Sequence, residues 1–123
     1  MKGKDFQRWV TDTAQTLGWR YWHVPAPMVN AGSRGWVPAR QGAGLPDLIL
    51  VHDDPPRLVF AEIKGDGDRL SEKQREFLQA VRAVAEDEWT RDSDADGPHL
   101  GVYVWEPGME QPIEELLRSR VLS

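Results

Sequence analysis

The chain contains no cysteine, which excludes disulfides, thiolate metal sites and a cysteine nucleophile. It has no apolar run near the roughly 20 residues a membrane helix needs, so no membrane partner is expected. Met1-Lys2-Gly3-Lys4-Asp5 lacks the apolar stretch of a secretory signal, and a cytoplasmic location is expected. The three histidines, His23, His52 and His99, are scattered without metal-ligand spacing. Between residues 13 and 45 there is no acidic residue at all.

What is present is 123 residues, 40% hydrophobic and 28% charged, enough for one ordinary domain with a real core. The net charge of −5 argues at first against a nucleic-acid partner. That excess sits in one segment: residues 86–96 hold six acids and one base, and the other 112 residues are neutral. Residues 1–45 carry six bases (Lys2, Lys4, Arg8, Arg20, Arg34, Arg40) against Asp5 and Asp12. One end of the chain is locally basic.

Phe6, Trp9, Val10, Thr13, Ala14 and Leu17 follow the spacing of an amphipathic helix, with Gly18 at the position that closes one. Trp19 to Val24 reads as an aromatic-rich strand stopped by Pro25 and Pro27. Residues 25–45 are rich in Pro and Gly and read as a long loop, either a polyanion-binding flap with Arg34, Trp36 and Arg40 or a solvated loop with Trp36 tucked on the core. Asp47 to Val51 and Arg57 to Lys64 form a hairpin of two strands about the turn Asp53-Asp54-Pro55-Pro56. Ser71 and Gln74 fit a capping box opening a helix with Phe77, Leu78, Val81, Val84 and Ala85 on one face. That helix frays into an acidic loop at 86–98. Leu100 to Trp105 is a last strand, and Ile113, Leu116 and Leu117 mark a short helix. The order α-β-β-β-α-β-α makes a small α/β sandwich, with the six tryptophans mostly in its core.

Three ionisable residues interrupt apolar strands. Asp47 opens one after Gly44-Leu45-Pro46, and Glu62 and Lys64 break Leu58-Val59-Phe60-Ala61-Glu62-Ile63-Lys64. A buried charge is costly unless it is paired or bound to a metal. Strand alternation points Glu62 and Lys64 to the same side, and adjacent strands would bring Asp47 to them. Two such carboxylates suit a hard divalent cation, Mg²⁺ or Mn²⁺, with the backbone carbonyl of Ile63 as a further donor. The cation would activate a water, and the lysine would orient it or offset transition-state charge. The bland alternative is a Glu62–Lys64 surface pair with Asp47 capping a turn.

Gly44-Leu45-Pro46-Asp47-Leu48 and Phe60-Ala61-Glu62-Ile63-Lys64 resemble the motif of the PD-(D/E)XK nuclease superfamily. Four further stretches resemble its VRR-NUC branch. They are Asp5-Phe6-Gln7 with Leu17-Gly18-Trp19, Tyr21-Trp22-His23, Leu70-Ser71 with Gln74, and Val104-Trp105-Glu106-Pro107. The resemblance implies a restriction-endonuclease-like α/β core, a small mixed sheet flanked by helices, over the single domain 1–123. It implies Asp47 and Glu62 as metal ligands, Lys64 as catalytic lysine and Gln74 as a site-facing glutamine; the other reading of Gln74 is the capping-box partner of Ser71. Relatives often carry a glutamate on the first helix. Gly3 stands about there, with Asp5 or Gln7 as replacements.

The expected function is a metal-dependent endonuclease acting on DNA. No base-reading module is visible, so branched, flapped or junction DNA is expected over a short sequence site, in the replication or recombination of a phage or bacterium. Arg20, Arg34, Trp36, Arg40 and Lys73 are the candidate DNA contacts, and a homodimer would suit a small footprint on a symmetric junction. The rival readings are a catalytically silent DNA-binding module on the same fold and a protein-interaction module that docks through its acidic segment.

Overall fold

Helix α1 (Gly3–Thr16) buries Phe6, Val10, Thr11 and Ala14. The stripe predicted Thr13 where Thr11 is buried instead, its hydroxyl donating to the Arg8 carbonyl at 3.1 Å. Gly18, at φ 89°, closes the helix, and the Trp19 N–H returns to the Ala14 carbonyl at 2.9 Å. The chain then forms strands β1 (Arg20–His23), β2 (Met28–Asn30), β3 (Trp36–Pro38), β4 (Leu48–Asp53) and β5 (Pro56–Ile63). Helix α2 (Glu72–Arg91), strand β6 (Leu100–Trp105) and helix α3 (Glu110–Arg118) complete it. This computed structural model describes residues 3–25, 28–38, 44–65, 68–91 and 98–122. No described helix is long and apolar enough to cross a membrane.

The fold is α/β, with one mixed four-stranded sheet of order β1-β4-β5-β6. β1, β4 and β5 are antiparallel neighbours, and β6 joins β5 in parallel after the α2 crossover. Alternation divides the sheet into two faces. Leu48, Leu50, Val59 and Ala61 turn to one face and pack with Phe6, Val10, Ile113 and Leu117 of α1 and α3. Phe60 turns to the other face and meets Phe77 of α2 edge-on at 5.8 Å. Trp19 and Trp105 lie in the core, and Trp19 is pinned by an Nε1 bond to the Leu117 carbonyl at 3.0 Å and by the Arg57 guanidinium 4.8 Å over its ring.

Four expectations need correction. The 25–45 segment is not one loop, because β2 and β3 pair within it as a second, two-stranded sheet around a helical turn at Gly32–Arg34. The element order therefore has two more strands than predicted. Residues 86–91 are not loop but the last turns of α2, since no Gly or Pro stands there to stop the helix; 92–97 lie outside the described residues. Val84 is 59% exposed rather than on the packed face. The tryptophans divide more evenly than expected, since Trp22 is 52% and Trp36 is 67% exposed.

Candidate active site

The register of the β4–β5 hairpin builds the site. Leu48 pairs with Ala61, so Asp47, just before the ladder begins, stands opposite Glu62. Both belong to the face that α2 covers. Asp47 is fixed there by the Ile63 N–H, which donates to its Oδ2 at 2.7 Å. Lys64 follows β5, its N–H donating to the Trp105 carbonyl at 2.9 Å, so its side chain returns to the face of Glu62.

Glu62 is only 3% exposed. Lys64 Nζ lies 3.4 Å from Glu62 Oε1 and donates to Gln74 Oε1 at 3.1 Å. Gln74 Nε2 donates to Glu62 Oε1 at 3.0 Å. The same Gln74 also closes the capping box. Its Oε1 accepts the Ser71 N–H at 2.9 Å, and its own N–H donates to Ser71 Oγ at 3.1 Å. The two readings of Gln74 are therefore one arrangement. The Ser71 N–H, a donor only, fixes the amide oxygen, and the amide nitrogen is thereby turned to Glu62.

Burial first, and the adjacent Asp47 carboxyl second, raise the Glu62 pKa from 4.5 to about 7 against the lowering by Lys64. Lys64 alone does not offset the two carboxylates. Among the described residues no third Asp, Glu, His or Cys joins the two carboxylates to make a ready metal cluster. Two carboxylates and a main-chain oxygen fit Mg²⁺, which keeps several waters and seldom takes an all-protein cage.

The other predicted residues divide by position. Gln7 is engaged elsewhere, its Nε2 lying 3.3 Å from His23 Nδ1. Asp5 does not join the carboxylate pair in a metal cluster. Lys73 is exposed in the first turn of α2, where its carbonyl lies against Gly44. Gly44 has φ 87°, and a Cβ there would stand 2.7 Å from that carbonyl. Arg34 and Trp36 are exposed on the β2–β3 hairpin. Arg20 sits at the opposite end of β1 from the site, opposite Val51, and its guanidinium is paired with Asp53 at 2.9 Å. Arg40 lies outside the described residues.

One neighbour went unassigned in the sequence. Trp22 pairs with Ile49, which shares its face with Asp47, so Trp22 stands on the site face of the edge strand. The alternation Tyr21-Trp22-His23 held that signal, since Tyr21 packs on the core and Trp22 must point away.

Residues 6–85 match the family model of the VRR-NUC domain. A 36-residue stretch is 50% identical to part of the Fanconi-associated nuclease 1 homolog of Caenorhabditis elegans, covering 29% of this chain and 4% of that protein. No solved structure matches the chain.

Proposed function

The chain belongs to the VRR-NUC domain family, a nuclease family, and on that premise we propose that it is a Mg²⁺- or Mn²⁺-dependent endonuclease of the PD-(D/E)XK type. Its substrate in this reading is DNA, cut at phosphodiesters of branched, flapped or junction structures. One observation carries the reading: Glu62, almost wholly buried, faces a second carboxylate and is pushed up to about 7. A fold tolerates that cost where the site has work to do. Asp47, Glu62 and the Ile63 carbonyl are the donors we assign to the cation. When bound, it would lower the pKa of a water and neutralise charge on the phosphodiester.

The protein's own groups do the rest. Lys64 presents its ammonium beside Glu62, where it offsets the negative charge that grows on the phosphoryl oxygens in an in-line displacement. Gln74 holds Lys64 and Glu62 in place through one amide, anchored by the capping box. A binding module has no need of this buried set, which favours the enzyme over its silent rival.

The test incubates the protein with Mg²⁺ or Mn²⁺ and linear, flapped and four-way DNA. Lys64→Ala should abolish cutting and keep DNA binding. Cutting by Lys64→Ala at the wild-type rate would refute the catalytic assignment. Salt-sensitive binding by a wild type that never cuts would establish the silent module instead.

A further inference from the structure

The sheet face of Asp47 and Glu62 is covered unevenly. α2 lies over β5 and β6, with Phe77 against Phe60 and an Arg82 Nη2 bond to the Val102 carbonyl at 3.5 Å. Toward the β1 edge the same face carries Trp22, 52% exposed. Trp22 pairs with Ile49 in an antiparallel ladder, which makes it the diagonal neighbour of Asp47, at a Cα spacing of about 7–8 Å. Packing does not account for a tryptophan left half in water beside the half-buried Asp47.

The excursion that starts beside Asp47 exposes further aromatic and cationic side chains. The 25–45 excursion leaves the sheet at Val24, whose N–H donates to the Asp47 carbonyl at 2.8 Å, and returns at Gly44 against Lys73. Both ends of the excursion are thus tied to the site. Between them the β2–β3 hairpin exposes Trp36 (67%) and Met28 (53%), with Arg34 in its turn. In the register Asn30 pairs with Trp36 and Met28 with Pro38, so Met28 and Trp36 share one face. Arg34 is exposed, and the stretch 13–45 holds no acid, which suits a polyanion.

We propose that Trp22 is a stacking platform for unpaired bases, so that the substrate carries a single-stranded segment beside the phosphate to be cut. This rests on the nuclease reading and narrows its substrate. Indole faces stack on any base, whereas bases inside a duplex have both faces already covered by their neighbours. The platform therefore selects unpaired nucleotides without reading sequence, and arginine contacts hold the backbone.

The test measures binding of a dye-labelled dT 12-mer and of a blunt duplex by anisotropy, in EDTA so that nothing is cut. Trp22→Ala and Trp22→Leu should each weaken dT 12-mer binding about tenfold or more, while Trp22→Tyr retains it and duplex binding is unchanged. An abasic position that weakens wild-type binding should cost Trp22→Leu nothing further. Wild-type affinity of Trp22→Leu for the 12-mer, or equal losses on both DNAs, would overturn the proposal. So would a dimer that becomes monomeric in Trp22→Leu by sedimentation velocity, because the face would then be a contact between copies. The nuclease reading fails separately, if the wild type with Mn²⁺ cuts no DNA. Wild-type cutting with unchanged 12-mer binding in Trp22→Leu sinks only the platform.

Discussion

Replacing Glu62 by glutamine should stabilise the protein, and the gain should depend on pH. In the unfolded chain this carboxyl loses its proton near 4.5, but in the fold only at about 7. Between those values the folded state holds one more proton than the unfolded state. Stability therefore falls as pH rises through this window, and the full cost is present above it. The rise from 4.5 to about 7 corresponds to about 3 kcal/mol. The attraction of Lys64 is already included in that shift. Glutamine keeps the shape, and its amide oxygen can still accept from Gln74 Nε2, but it has no proton to lose. At pH 5 Glu62→Gln and wild type should have similar stability. At pH 8 the variant should be more stable by about 3 kcal/mol, a melting shift on the order of 10 °C for a domain of this size. Denaturant unfolding of both proteins at pH 5, 6, 7 and 8 measures the difference, and subtraction removes titrations common to both. A difference that does not change with pH would refute the reasoning. So would a variant less stable than wild type at pH 8.

Other outcomes follow from the same geometry. A divalent cation must compete with the Glu62 proton, so saturating Mn²⁺ should raise the wild-type melting temperature more at pH 8 than at pH 6, and should scarcely move Glu62→Gln; thermal scans with and without EDTA check this. Gln74→Ala removes the bonds to Lys64, Glu62 and Ser71 together. It should cost about 1–3 kcal/mol by denaturant unfolding, and cleavage should fall more than DNA binding does. Gly44→Ala places a Cβ against the Lys73 carbonyl at a φ of 87°, and should destabilise by about 1–3 kcal/mol and slow cleavage by displacing Asp47. Its unfolding curve and its rate on flapped DNA measure both effects.

Much of the site was legible because its residues violate local rules. Asp47, Glu62 and Lys64 break apolar strands, and only a hairpin register was needed to bring them together. Ser71 and Gln74 carry a capping signature that is local, but the sequence could not show that the capping amide also reaches Glu62, because that contact depends on how α2 packs on β5. The β2–β3 hairpin was hidden for a different reason. Its strands are three residues each, set among Gly, Pro and Asn, too short for alternation to register against loop composition. The acidic run at the end of α2 was read as loop from its charge, although Glu is a good helix former and no Gly or Pro interrupts 86–91. The exposure of Trp22 was the hardest to foresee, since residue type argued for the core and only the position of β1 at the sheet edge decided otherwise.

Everything proposed for the activity depends on Asp47 and Glu62 forming a divalent-cation site. Crystals grown at pH 8, where Glu62 has given up its proton, and soaked in Mn²⁺ test this directly by anomalous scattering. A manganese peak is expected between the Asp47 and Glu62 carboxylates, within coordinating reach of the Ile63 carbonyl. No peak there at saturating Mn²⁺ would contradict it.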